Sequence, residues 1–400
     1  MNIGNLEIGK GKSLKLKEEC IYLDHAGGSI WPRQVIESMC QFIFKMNKMG
    51  PIETRFYQEC QAIVKETKKE MANFIGAKSY NEIAFTKNGS EAINIVINGL
   101  PWKAGDEVIV SSLEITSGFV PLLRLTKKKG IKIKIARNNN KGIIEINEIK
   151  KLITDKTRLI SMVHLSNVIG TLQKVEDIGS ICKKYNILFL VNASQSIGQV
   201  PIDVGAIGCD FLIAPCRKWL RGPTGLGFLY CRSELIDKLE PSFIGWNSTK
   251  WFFLENEYCY ANTAERFEVG EYDYPAIIGL RSALYYIHEM GGINKIREQI
   301  KKLTTYLIDN LKKNKYVEIY GDLDSNVRGG IVSFNVLNMK PKSVWSLMSR
   351  NFIVLEFGNF AAPMALETLG VPECVRVCVS YFNTYNEIDK FINVLKEDIS

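Results

Sequence analysis

Seven short apolar runs recur between Ile83 and Cys231, and most are separated by stretches of helical period. The runs are Ile83–Thr86, Glu107–Ser111, Ile131–Ile135, Leu159–His164, Leu188–Asn192, Phe211–Ile213 and Gly227–Cys231. A run that is short and apolar along most of its length reads as a strand covered on both faces. The stretches Glu91–Gly99, Gly118–Lys129, Ile146–Leu152, Val175–Tyr185 and Glu234–Leu239 supply the covering helices. The pattern predicts an α/β fold built on a mainly parallel, seven-stranded sheet.

From about Tyr274 the texture changes. Helices are expected over Pro275–Met290 and Gly292–Lys313, the first stopped by Gly291-Gly292. Strands at Val317–Tyr320, Gly330–Val336 and Val375–Ser380 and a last helix, Glu387–Lys396, complete an α+β lobe. A chain of 400 residues exceeds one simple domain. The expected division is a large domain over 20–270 and a small C-terminal domain over 271–400, joined by residues 1–19.

Hydrophobic residues at 46% and charged residues at 24% describe an ordinary globular protein. No run of about twenty apolar residues is present, so no membrane association is expected. Met1–Lys10 holds no apolar segment of signal-peptide type, and the cytoplasm is the expected location. The net charge of +8 is spread over helices such as that carrying Lys68 and Lys69, with no basic block for nucleic acid. Three scattered histidines and ten scattered cysteines suit neither a metal site nor a disulfide framework.

Chemistry is concentrated at strand ends. Lys218 lies between the strand Phe211–Ile213 and a glycine-rich turn holding Gly222, Gly225 and Gly227. A partly desolvated amine at a strand end is suited to form a Schiff base with an aldehyde cofactor. Thr86–Asn94 follows a strand and opens a helix, with Gly89 easing the turn and Ser90 able to cap it. Such a helix start is an anion site, or simply a well-capped helix. Asn192 and Gln195 end another strand, where they can hydrogen-bond a planar ring or cap a turn. His164 reads as a core histidine, while Ser166 and Asn167 form a polar strand tip. Asp24 and His25 stand beside Gly27 and Gly28. Arg376, in the apolar strand from Val375, must reach the surface at an edge or meet an anion such as a substrate carboxylate. Phe360, Trp246 and Tyr272 are candidates to shape the pocket.

In order, Tyr22–Gly27, Thr86–Asn94, Ser166–Thr171, Asn192–Ser196, Arg217–Gly225, Arg266–Glu268 and Tyr381–Thr384 resemble the class V aminotransferase-like enzymes of fold type I, which use pyridoxal 5′-phosphate (PLP). The resemblance implies Lys218 as the cofactor lysine, Gly89 and Ser90 at its phosphate, and Gln195 near its phenolic oxygen. It places Asn167 by the ring or substrate, Thr116 over the ring and Arg376 on the substrate carboxylate; His25 is a further candidate for the substrate site. A homodimer acting on a small amino acid is the family habit.

Three departures shape the expected reaction. Asn192 stands where the family carries an aspartate at the pyridine nitrogen, and the substitution Asn192→Asp is expected to raise turnover. Glu356–Pro363, the stretch matching the desulfurase cysteine loop, holds no cysteine. Arg217 precedes Lys218, resembling the hercynylcysteine sulfoxide lyase and isopenicillin N epimerase branches. The expectation is a C–S β-lyase on a cysteine-type conjugate in a specialised biosynthetic pathway, not a persulfide-forming cysteine desulfurase. Epimerase, aminotransferase and a catalytically degenerate binding protein are the alternatives.

Overall fold

The computed structural model describes residues 20–252 and 257–397 and opens on a two-residue strand, β1 (Ile21–Tyr22). Seven strands then assemble into one sheet: β2 (Ile83–Thr86), β3 (Glu107–Ser111), β4 (Lys132–Ala136), β5 (Thr157–Val163), β6 (Leu188–Asn192), β7 (Phe211–Pro215) and β8 (Gly227–Cys231). Their spatial order is β2-β8-β7-β6-β5-β3-β4. The pairs β3–β4, β3–β5, β5–β6 and β6–β7 are parallel, while β8 runs antiparallel to both β7 and β2. The link from Pro215 to Gly227 contains no helix and is too short for a parallel crossover, so β8 returns antiparallel.

Alternation along the strands feeds two cores. Ile109, Phe189, Val191 and Leu212 join one buried cluster, and Val108, Val110, Leu190 and Phe211 join the cluster on the opposite face. The expected coverage of both faces follows from this. The first of these clusters also crosses residue 270, taking in Ala276, Leu280, Ile300 and Tyr381.

A hairpin of β9 (Thr249–Phe252) and β10 (Glu257–Tyr260) precedes the C-terminal sheet. That sheet combines β11 (Val317–Ile319), β12 (Ile331–Val336), β14 (Glu356–Gly358) and β15 (Cys374–Cys378), in the order β11-β12-β15-β14. β15 is therefore an interior strand, which removes the edge-strand reading of Arg376. β1 pairs in parallel with β13 (Ile353–Val354), and the Cys378 N–H donates to Leu23 O at 2.7 Å. The expectation that residues 1–19 join the smaller lobe lies outside the described residues.

The turn after β5 is pinned to this sheet at Gly170. Its φ is +83°, and a Cβ there would stand 2.1 Å from Ile331 O. Gly170→Ala combines a strained backbone with a clash against main chain, and costs ~2 kcal/mol or more. The urea midpoint should fall with the slope unchanged; an unaltered midpoint would contradict this packing.

Candidate active site

The carboxyl ends of β3, β5, β6 and β7 point the same way, and the residues at and just past them line one small cavity. Leu113–Ile115 follow β3, Leu165 and Asn167 follow β5, Asn192, Ser194 and Gln195 close β6, and Lys218 follows β7. Lys218 is 9% exposed. Burial, and then the charges of Arg217 and Arg376, lower its pKa to about 7. An amine near neutrality at physiological pH is both a nucleophile and a base.

The helix Gly89–Gly99 begins beside the same strand ends. A Cβ on Gly89 would meet Pro215 Cδ at 3.2 Å and Ser194 Oγ at 3.5 Å, so the helix start packs closely against these strand ends. The cap is Asn88, whose Oδ1 accepts from the Glu91 N–H at 2.9 Å, and not Ser90 as expected. Ser90 lies inside the first turn, where helix N–H groups lack intrahelical partners and favour an anion. Lys87 is exposed, and its N–H donates to the Glu91 carboxylate.

Asn192 is held from two sides. Its Nδ2 donates to Glu114 Oε1 at 2.9 Å and Oε2 at 3.2 Å, and its Oδ1 accepts from the Ser194 N–H at 3.1 Å. Glu114 is buried, and burial raises its pKa to about 7 against the opposing pull of the Asn192 and Ile115 hydrogen bonds. Sequence reasoning passed over this residue. The available signal was an acidic side chain wedged between an apolar strand and a helix start, four residues before a glycine. Gln195 also lines the cavity, with Nε2 on Ala26 O at 3.0 Å and Oε1 accepting from Trp219 Nε1 at 2.7 Å.

Asn167 joins the two sheets at the site. Its Nδ2 donates to Phe360 O at 3.0 Å, and its buried Oδ1 has no partner. Arg376 Nη1 donates to Asn167 O at 3.0 Å, and Nη2 pairs with Asp24 Oδ1 at 2.7 Å. The Phe360 ring covers the guanidinium, 4.1 Å from its carbon. The anion this arginine was expected to need is thus supplied, in part, by the chain itself.

Other candidates are placed elsewhere. His25 is fully buried outside the cavity lining, with Nδ1 3.0 Å from Ser29 Oγ and Nε2 3.0 Å from Asn383 Oδ1. Asn383 Oδ1 already accepts from the Ser380 N–H, so Nε2 is the protonated nitrogen. Burial lowers the His25 pKa to about 3, and the ring is a neutral strut rather than a substrate ligand. Thr116 begins the helix Thr116–Lys129, and its N–H donates to Ala361 O at 2.9 Å; Ile115 faces the cavity in its stead. Of the proposed pocket aromatics, Trp246 is exposed, and Tyr272 donates to Glu268 at 2.6 Å, outside the lining. Burial pushes the Cys374 and Cys378 thiols up to about 12.

A near-neutral amine, a helix start for an anion, strand-end amides and an orphaned buried acceptor suit a ring bearing an aldehyde and a phosphate. Comparison with known proteins agrees. The Aminotransferase class-V family profile matches residues 21–391. A probable cysteine desulfurase of Methanothermobacter thermautotrophicus is 34% identical over 96% of each chain. The apo structure of a cysteine desulfurase from Thermococcus onnurineus NA1 superposes with a TM-score of 0.89 at 31% identity, covering 95% of this chain and 94% of that one. A C-DES variant with glycine covalently linked to its PLP cofactor shares the fold, with a TM-score of 0.84 at 22% identity over 94% of this chain and 96% of the other.

These likenesses overturn two expectations. The C–S β-lyase of a specialised pathway, with its epimerase, aminotransferase and degenerate-binder alternatives, gives way to relatives named cysteine desulfurase. The exclusion of a persulfide-forming desulfurase falls with it. That exclusion rested on one loop without cysteine and on Arg217, local features outweighed by agreement over nearly the whole chain.

Proposed function

The chain belongs to the class V aminotransferase family, and we propose that it is a PLP-dependent cysteine desulfurase. The observation that carries this reading is the buried Lys218 amine, held near neutrality in a cavity that also receives Asn167 and lies beside Arg376. PLP, when bound, supplies an electron sink for charge developing at the substrate α-carbon. Lys218 would hold the cofactor, and Gly89 and Ser90 would bind its phosphate at the helix start. Gln195 and Asn192 would orient the ring. Arg376 would take the substrate carboxylate through its planar fork, drawing on the guanidinium now shared with Asp24. Released by substrate, Lys218 Nζ would lift the α-proton and carry a proton back. Phe360, over the guanidinium, would keep water from the carboxylate contact.

The net reaction balances as cysteine plus an acceptor thiol giving alanine plus a persulfide. The C–S bond breaks, an S–S bond forms, and one thiol proton ends on the alanine β-carbon. Cys374 and Cys378 are buried with thiols held far above neutrality, and the cavity lining holds no cysteine among the described residues. We therefore place the acceptor thiol on another molecule. A homodimer in the cytoplasm is the proposed setting; no helix of the described residues is long and apolar enough to cross a membrane.

The test incubates PLP-loaded protein with L-cysteine and with or without dithiothreitol, and quantifies alanine, pyruvate and sulfide. Alanine that rises with added thiol supports the reading. Pyruvate and ammonia in place of alanine, or no product at all, would defeat it.

A further inference from the structure

We propose that Glu114, acting through Asn192, supplies the negative charge that keeps the ring nitrogen of the bound cofactor protonated. The proposal rests on the PLP reading above and adds a positioning residue to it: a carboxylate–amide pair replaces the family's single strand-end aspartate.

The geometry fixes the direction of the relay. Both Glu114 oxygens accept from Asn192 Nδ2, at 2.9 and 3.2 Å, which sets the amide with its oxygen on the other side. That oxygen accepts only the Ser194 N–H, at 3.1 Å, and keeps a lone pair for a further donor. A ring nitrogen facing an amide oxygen must carry a proton to bond with it. A carboxylate behind the amide polarises it and strengthens the oxygen as an acceptor.

Glu114 is also built in. A Cβ on Gly118 would stand 2.4 Å from Glu114 Cδ, so the helix Thr116–Lys129 leaves a slot for this side chain. The Ile115 N–H donates to Oε1 at 2.9 Å. Among the described residues, no cation lies within ion-pair distance of the carboxylate. A buried anion without a counter-ion is costly, and a protonated ring beyond Asn192 would provide one. Burial holds the Glu114 pKa up to about 7 against the Asn192 and Ile115 hydrogen bonds and the more distant Lys218 charge, a level that a closer cation would bring down further.

The pair also reverses the expected gain from Asn192→Asp. Two carboxylates within hydrogen-bond distance cannot both ionise, so that single change adds a shared proton instead of a stronger anion.

The experiment reads the ring-nitrogen chemical shift of ¹⁵N-labelled PLP bound to the protein, together with PLP affinity. Wild type should show the protonated shift at pH 8. Glu114→Gln should move it to the neutral shift and weaken PLP binding about 10- to 100-fold, the loss of a hydrogen bond to a charged group. Gly118→Ala, which displaces the Glu114 side chain, should move the shift the same way. The double variant Glu114→Gln/Asn192→Asp, with one carboxylate returned to the strand end, should recover the protonated shift. A neutral nitrogen in wild type overturns the proposal without any variant, as does a protonated shift unchanged in Glu114→Gln. Borohydride reduction followed by mass analysis of the Lys218 peptide separates the two readings. If no PLP adduct forms there, the functional assignment fails; if it forms and the nitrogen is neutral, only the Glu114 relay fails.

Discussion

Lys218→Ala should cut alanine formation from cysteine by a factor on the order of 10³ or more, while Lys218→Met stabilises the cofactor-free protein. The first effect follows from removing both the nucleophile and the proton carrier; positioned acid–base groups alone contribute about 10²- to 10⁴-fold. The second follows from linkage. The Lys218 pKa is about 7 in the folded chain against a usual 10.5, so between these values the folded protein holds fewer protons than the unfolded chain. Stability then rises with pH across that window, and the burial penalty is fully present below it. At about 1.4 kcal/mol per pH unit the penalty at neutral pH is on the order of 4 kcal/mol. Glu114 works in the adjoining window with the opposite slope. Its pKa is raised from 4.5 to about 7, so stability falls as pH climbs between them. Loss of the Lys218 charge also removes an attraction that steadies the Glu114 carboxylate, which offsets part of the gain. Thermal midpoints of apo wild type and Lys218→Met at pH 7 and pH 10 check this. The methionine variant should melt higher at pH 7, and its advantage should shrink by pH 10. An advantage equal at both pH values would mean that the Lys218 amine is not desolvated.

The seven-stranded sheet was legible because strands buried on both faces are written as apolar runs, and each run from Ile83 to Cys231 was found in it. The strands at Ile21–Tyr22, Ile353–Val354 and Glu356–Gly358 were not, because two or three residues cannot display a period. They are defined by partners far along the chain, as in the pairing of Ile21 with Ile353.

The same limit governs the site. Lys218, Asn167, Asn192 and Gln195 were readable because a parallel sheet gathers its strand ends, and each lies at or within a few residues of the point where an apolar run stops. Glu114 meets Asn192 across 78 positions, a contact that no spacing rule announces. His25 stood next to an aspartate and two glycines and read as chemistry, but its two ring nitrogens are satisfied by Ser29 and Asn383. The reaction was misread for a different reason. A missing cysteine in one loop says where sulfur does not go, and says little about which bond is broken.

Arg376→Gln should raise the KM for cysteine on the order of 100-fold and destabilise the protein by about 3 kcal/mol, and the two losses have separate causes. Truncating one partner of a buried, hydrogen-bonded charge pair typically costs about 2–5 kcal/mol, much of it from the charge left behind. Here that charge is Asp24, whose side chain is 16% exposed beside an arginine that is 5% exposed. Asp24→Asn on its own leaves Arg376 with the Asn167 carbonyl and the Phe360 face but no anion, so it too should destabilise. The double variant Arg376→Gln/Asp24→Asn removes both charges and should regain most of the lost stability. It should not regain substrate affinity, because no amide reproduces the charged bidentate fork that a carboxylate selects. Arg376→Lys should fail in the same way, since an ammonium cannot reach Asn167 O and a carboxylate in one plane. Urea midpoints and KM values for the four variants place each effect in its own column of the double-mutant cycle. Recovery of KM together with stability in the double variant would show that Arg376 only braces Asp24, and the substrate carboxylate would then have to be sought elsewhere in the cavity.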